Sequence, residues 1–348
     1  MESKVHGTFV CEKINKVRWK PEDLIDSESF ITGSWDNETN NLVYWHYSCS
    51  EDDPDFYPKK ATSLPFEGDV TELKFINKNV FAAASSCGSA KLYKVDSSTT
   101  TMKETVCWDN IHYFECGEKC PCTGLACFEE DIATVGEDGR LVLLTARQKR
   151  PLRCIEEADS CSLRTVCFLK HNELLTGNLR GQMKVWDLKS SSDKPQSTFM
   201  LSGEQVGASC VTHHPTQRHM VLAGGEDGSL TVWDLRHNTF PVTLLSAHSD
   251  TVTELQFHPE RPEHVFTCSA SGEIWHWDTS SMSHSADENP WLNTDAAKHR
   301  LDVFTLMPQL HKTNQLSGRQ QEQSCVRLRQ RGCLCLPGCD ALNLFLFN

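Results

Sequence analysis

Residues Ala223 to Pro259 read AGGEDGSLTVWDLRHNTFPVTLLSAHSDTVTELQFHP, and this stretch decides the fold. It holds a Gly225-Glu226-Asp227-Gly228 turn, an alternating apolar run into Trp233-Asp234, an Ala247-His248 pair, and a second alternating run closing at Phe257-His258-Pro259. A tight Asp-Gly turn between period-two apolar segments predicts a β-hairpin, because glycine takes the positive φ of such a turn without steric cost.

Both parts of the stretch recur. Segments with apolar residues at alternate positions and a closing anchor begin at Ile14, Val70, Thr123, Leu163, Ala208, Val252 and Leu301. Their anchors are Trp19, Phe75, Phe128, Phe168, His213, Phe257 and Leu306, spaced 40 to 56 residues apart. A four-stranded propeller blade repeats at roughly 40 to 45 residues, so the longer intervals imply loop insertions. The turn-plus-strand signature runs from Cys87-Gly88 to Tyr93, Asp138-Gly139 to Leu144, Arg180-Gly181 to Trp186-Asp187, Asp227-Gly228 to Trp233-Asp234 and Ser271-Gly272 to Trp277-Asp278, with a looser version from Trp35-Asp36 to Trp45. The two signatures alternate along the chain, and an Asp-Gly turn followed by a Trp-Asp step resembles the WD40 repeat. The expected fold is all-β: a seven-bladed WD40 β-propeller with an atypical last blade. The segment Thr8 to Glu12 is expected to supply the outer strand of that blade and so remove open sheet edges. One domain spans 1–348, with the propeller core over 8–315 and an atypical segment of low order over 316–348.

Composition narrows what such a scaffold does. The chain of 348 residues carries a net charge of −13, which argues against phosphate-rich partners such as nucleic acid or anionic membranes. No apolar h-region opens the sequence and no run reaches the roughly 18 apolar residues of a membrane span, so a soluble intracellular protein is expected. Seventeen cysteines, an odd number scattered singly through apolar runs, read as buried free thiols in a reducing compartment.

Four features invite a chemical reading. The His, Ser or Thr, turn Asp and Trp of a WD40 blade form a buried network that rigidifies it. Here no blade has the full set: Asp227 and Trp233 lack the His, while His248 and Trp277 face Ser271. Cys116, Cys120, Cys122 and Cys127, near His112, depart from the paired spacing of zinc knuckles and straddle a strand start, so Trp108 to Pro121 reads as an exposed loop and not a metal site; Cys333, Cys335 and Cys339 have the same weakness. Cys49 to Leu64, with Glu51-Asp52-Asp53-Pro54-Asp55, and Ser280 to Asp287 read as solvated loops. Arg319 to Arg331 lacks the dense basic block of a nuclear or nucleic-acid signal. No phosphate-binding loop, nucleophile elbow or HExxH helix is present. No enzyme activity, cofactor, metal or small-molecule substrate is therefore expected, and the partners should be proteins.

The strings GSWDNE (Gly33–Glu38), AASSCG (Ala83–Gly88), VGEDGR (Val135–Arg140), PEHVFTCS (Pro262–Ser269) and WHWD (Trp275–Asp278) sharpen the resemblance. From about Phe9 to Leu310 the chain resembles the small single-propeller nucleoporins of the Y-shaped outer-ring scaffold of the nuclear pore. That resemblance implies a non-enzymatic scaffold subunit bound to an α-helical nucleoporin and other Y-complex subunits, supporting mRNA and protein transport, located at the nuclear envelope and at kinetochores in mitosis. It breaks down after about Pro308. An alternative comes from Trp186-Asp187-Leu188-Lys189 and Trp233-Asp234-Leu235-Arg236, which resemble the paired WDxR boxes of substrate receptors for cullin-type ubiquitin ligases, although Lys replaces Arg in one box. Loop aromatics and arginines dominate interface energetics, which makes Trp35, Trp108, Arg180 and Arg236 the candidate partner-binding residues.

Overall fold

The computed structural model describes residues 5–22, 29–46, 58–96, 98–202, 205–237, 239, 241–258 and 261–279, together with strands at 302–305, 322–328, 332–335 and 341–347. Strand β1 (Val5–Phe9) precedes the first blade, β2–β5 (Ile14–Trp19, Ser29–Ser34, Asn40–His46, Lys59–Phe66). The second blade is β6–β9 (Val70–Asn77, Val80–Ser85, Ala90–Asp96, Thr101–Trp108) and the third β10–β13 (Cys122–Phe128, Asp131–Gly136, Leu141–Thr145, Arg153–Ile155). The fourth is β14–β17 (Leu163–Lys170, Glu173–Asn178, Gln182–Asp187, Ser197–Met200) and the fifth β18–β21 (Ala208–His213, Met220–Gly225, Ser229–Asp234, Thr243–Ser246). The sixth is β22–β25 (Val252–Phe257, His264–Ser269, Ile274–Asp278, Asp302–Thr305). Each is an antiparallel meander in chain order.

Six blades of this kind are one fewer than the seven anchor segments imply. The segment at Leu301 opens no blade; its Asp302–Thr305 pairs with β24 as the outer strand of the sixth. The physical reason is the ladder itself, because a four-stranded blade needs a partner for the free edge of β24, and this strand takes that edge. A further sheet, ordered β1-β28-β26-β27 with β26 (Glu322–Leu328), β27 (Gly332–Cys335) and β28 (Ala341–Phe347), departs from the meander: β26 and β28 run parallel. Strand β1 pairs antiparallel with β28. The acidic Glu51–Asp55 run, Ser280 to Asp287, and both ends of Arg319 to Arg331 lie outside the described residues. The loop expected over Cys49 to Leu64 is shorter than its sequence suggests, since Lys59–Phe66 is strand β5.

The strands read as nearly continuous apolar runs because both faces of each blade are covered. In β19, Val221 and Ala223 pack toward the fourth blade with Trp233, Phe199 and Met183, while Met220 and Leu222 pack toward the sixth with Val252, Val265 and Trp277. Similar clusters lie between the other successive pairs of these blades. The core is thus a series of apolar layers between blades, and each large side chain fully buried there contributes about 2–3 kcal/mol.

Polar side chains on the inner strands add a second, directional link. Asn15 donates to the carbonyl of Val70 at 2.7 Å, Thr71 to that of Cys122, Thr123 to that of Leu163 at 2.6 Å, and Ser209 to that of Val252. In every case the second residue of one inner strand binds the first carbonyl of the next blade's inner strand. Arg164 occupies this place in the fourth blade and reaches Glu137 instead.

The hairpin turns hold Gly88, Gly139, Gly181, Gly228 and Gly272 at φ between 73° and 87°. At Gly88 and Gly228 a side chain would also strike the carbonyls of His112 and His248, whose amides bond back to the same glycines. The turn therefore docks on the connection that leaves its blade. His248 then enters the next blade, where its Nε2 lies 2.7 Å from Thr267 Oγ1 and its Nδ1 3.2 Å from Glu273. Trp277 Nε1 donates to the same Thr267 hydroxyl at 2.9 Å. This corrects the expectation that Ser271 stands in for the turn Asp: Ser271 bonds Ser269, and the acid comes from Glu273, one position beyond the turn glycine. Because burial lowers the His248 pKa, the ring is neutral and carries one proton; Nδ1–H donates to Glu273 and Nε2 accepts from Thr267. His112 makes the equivalent contacts, with Nδ1 3.0 Å from Asp138 and Nε2 3.0 Å from Thr134, and Leu144 stands at the Trp position. Thr267→Val removes the shared hydroxyl and leaves two buried groups unpaired, so it should destabilise the protein by roughly 2–4 kcal/mol in urea unfolding, whereas Thr267→Ser should recover most of the loss.

Candidate partner interface

In a meander, successive connections leave at opposite ends of the strands. One face of the ring therefore carries the glycine turns and the crossings between blades, and the other carries the first and third connection of each blade. Trp35, Trp108 and Arg180 belong to the turn face, and Arg236 to the opposite one. The four candidates do not converge on one site.

They also differ in exposure. Trp108 is not an exposed loop aromatic: it is only 2% exposed and packs with Ile111, Leu125 and Val142 between the second and third blades. It ends strand β9, so the period-two pattern of that strand points it inward. Trp35 is half-buried, with its backbone amide bonded to the Lys13 carbonyl. Arg180 is exposed at its turn beside exposed Leu179. Arg236 is exposed, but Nε and Nη2 both engage the buried Asp234 carboxylate, at 2.9 to 3.0 Å and 2.5 Å. Asp187, the equivalent acid one blade earlier, instead accepts from the backbone amide of Lys189.

Residues 109–121 form a built hairpin. A bridge joins Tyr113 to Lys119, and the amide of Phe114 bonds the carbonyl of Glu118. Fully buried His112 ties its base to the third blade through Asp138, whose carboxylate also accepts from the Tyr113 amide. Arg140 stacks 3.6 Å above the Tyr113 ring and donates to the Tyr113 carbonyl. The tip presents Tyr113 and Phe114, 38% and 36% exposed, on the turn face. Sequence reasoning missed this pair; the adjacent aromatics in a long insertion were the available signal. Glu67 and Lys119, 2.7 Å apart, tie the hairpin to the connection between the first and second blades.

The cysteines of this region diverge. Cys116 is exposed on the hairpin, Cys120 and Cys122 are buried at its base, and Cys127 lies on an inner strand. Among the described residues no group of three or more His, Cys, Asp or Glu side chains has the arrangement to hold a metal ion. The described cysteines between Cys11 and Cys268 are free, and Cys11 and Cys116 depart from the buried pattern the sequence suggested.

Around the ring axis the inner strands bring together Lys16, Arg18, Glu72 and Glu254. Arg18 lies 2.6 Å from Glu72 and 2.8 Å from Glu254, joining the first blade to the second and the sixth. Burial alone would raise the Glu72 pKa, but Lys16, Arg18 and Lys74 outweigh it and hold the carboxyl well below the usual range. Nearby, Cys167 Sγ lies 3.4 Å from His213 Nδ1. Burial pushes this thiol up to about 11 and depresses His213, so the pair stays neutral and supplies no thiolate nucleophile.

The WD domain, G-beta repeat family matches residues 194–234 and 239–278. The chain is 36% identical to human nucleoporin Nup43 over 345 residues, covering 88% of this chain and 91% of that protein. It is 35% identical to mouse Nup43, with the same 88% and 91% coverage. The nuclear pore complex protein NUP43 of Arabidopsis thaliana is 30% identical over 69% of this chain and 72% of its own length. The chain belongs to the Nup43 family of WD40 nucleoporins. That similarity covers 88% of the chain and so extends far beyond its two recognisable WD repeats.

One pH-sensitive element in this Nup43-type propeller follows from its His-Pro corners. His214 Nδ1 accepts from the backbone amides of Thr216 and Gln217, at 3.3 and 3.1 Å, capping the turn between β18 and β19. Burial and the neighbouring His213 and His219 push its pKa down from 6.5 to about 4. The unfolded chain takes up this proton near 6.5 and the folded chain only near 4, so folding is progressively disfavoured as pH falls between those values. This residue should cost the fold about 2 kcal/mol between pH 7 and pH 5. His214→Asn keeps an acceptor without a titrating group, and it should flatten the pH dependence of the melting temperature over that range.

Proposed function

We propose that this chain is a non-enzymatic scaffold subunit of the nuclear pore complex, in the Y-shaped outer ring, where it binds an α-helical nucleoporin and other subunits of that complex. The observation that carries this reading is the 36% identity to human Nup43 over 88% of the chain and 91% of the relative. The location at the nuclear pore, the support of mRNA and protein transport, and a mitotic role at kinetochores belong to the same proposal. A structural role suits a molecule whose buried histidines are tied into networks bracing the blades. Trp35, Arg180 and Arg236, with the Tyr113-Phe114 tip, are proposed as partner contacts; Trp108 would act by holding the base of that tip.

The proposal extends to architecture. The sheet β1-β28-β26-β27 would be a rebuilt seventh blade, closed by the N-terminal strand, within one domain over 1–348 whose segment 316–348 is atypical. Support comes from β27, which lies beside both β2 and β22, the inner strands of the first and sixth blades. The ubiquitin-ligase receptor reading has less support, because Asp234 already occupies two nitrogens of the Arg236 guanidinium and the earlier box carries Lys189. Affinity purification of the tagged chain from its own cells, followed by mass spectrometry, separates the two. Outer-ring nucleoporins should co-purify in near-stoichiometric amounts, and recovery of a cullin adaptor in their place would overturn the proposal.

A further inference from the structure

Between the fourth and fifth blades, on the face opposite the glycine turns, lies an open groove of about 690 Å³. Leu169, Val185 and Leu235 form an apolar floor continuous with the layer between those blades. Lys170, Arg218 and Arg236 stand along it, with Glu173 as the one lining carboxylate. In a chain of net charge −13 this is a local reversal of sign. Glu173 neutralises Lys170 at 2.9 Å, and Asp234 holds Nε and Nη2 of Arg236. Among the described residues, Arg218 joins no hydrogen bond or ion pair, and Nη1 of Arg236 makes no hydrogen bond. Arg218 is exposed, and its charge reaches His213, whose pKa is lowered by burial and then by this neighbour.

We infer that the groove docks an acidic, extended segment of a protein partner, with an aliphatic side chain on the Leu169, Val185 and Leu235 floor and carboxylates on Arg218 and Arg236 Nη1. Two properties select that occupant. The volume, in the roughly 300–1,000 Å³ range of ligand pockets, has room for a side chain on its floor. The unpaired Arg218 guanidinium is free to receive a carboxylate bidentately, and in an otherwise acidic molecule it sets the charge of what approaches. Pre-pairing with Asp234 holds the Arg236 side chain in place, so little rotamer entropy is lost when Nη1 takes up a further acceptor. The inference rests on the reading of the chain as a protein-binding scaffold and assigns one site to it.

The test is fluorescence anisotropy with the full chain and a fluorescein-labelled nonapeptide, Asp-Glu-Leu-Asp-Glu-Leu-Glu-Asp-Gly, against the same peptide with lysine at every acidic position. The acidic peptide should bind and the basic one should not, and raising salt from 50 to 300 mM should weaken binding at least about fivefold. Arg218→Glu should weaken it more than about tenfold, and Leu235→Asn should weaken it independently of salt. Arg218 is exposed and unpaired, so the melting temperature of R218E should match that of the parent and exclude misfolding. Absence of acidic-peptide binding, equal binding of both peptides, or unchanged affinity in R218E would overturn the assignment. If the peptide fails while outer-ring subunits still co-purify, the groove assignment falls and the scaffold reading stands; if both fail, the scaffold reading falls too.

Discussion

The hydrogen bond from the second residue of one inner strand to the first carbonyl of the next is the link on which the rest of the ring depends. A blade alone is a small twisted sheet with two apolar faces, and it can bury them only against neighbours. The layers between blades supply the bulk of the driving force, but dispersion and the hydrophobic effect do not fix register. Asn15, Thr71, Thr123 and Ser209 do so: each ties a side chain on one blade to a defined backbone atom of the next. Arg18, bonded to the Leu73 carbonyl and paired with Glu72 and Glu254, adds a charged clasp where the first blade meets the second and sixth.

The networks in the blades solve a related problem farther from the axis. The connection leaving one blade must be pinned to the next, and His112 and His248 do this by carrying a polar ring into a buried pocket that supplies both a hydroxyl and a carboxylate. Such constellations contain the residue types of a catalytic site. Their burial and completed hydrogen bonds commit them to bracing, and the thiols on the inner strands are held in the protonated state by burial. The exposed side chains Tyr113, Phe114, Arg180 and Arg218 are those to which recognition is assigned in the proposal.

Much of the fold was legible because two local rules leave strong marks. Strands buried on both faces, such as Met220–Gly225, are apolar at every step, and tight turns demand glycine at Gly88, Gly139, Gly181, Gly228 and Gly272. Outer strands leave weaker marks, since Ser197–Met200 and Thr243–Ser246 are short and half-exposed. That is why Asp302–Thr305 resembled the start of a new blade when it completes an old one. Glu273 was hidden because an acid two places out of position breaks the motif while the longer side chain still reaches His248. The site was less legible. Trp108 lies in a loop-like sequence but ends a strand, and the groove at Arg218 is assembled from two blades whose contributing residues run from Leu169 to Arg236.

Interlocked inner strands make the blades one cooperative unit. Native-state amide hydrogen exchange under increasing denaturant measures this directly. If the claim holds, the slowest amides of β6, β10, β14, β18 and β22 open together, with one free energy equal to that of global unfolding and one denaturant dependence. Separate opening of individual blades, each with its own free energy below the global value, would contradict it.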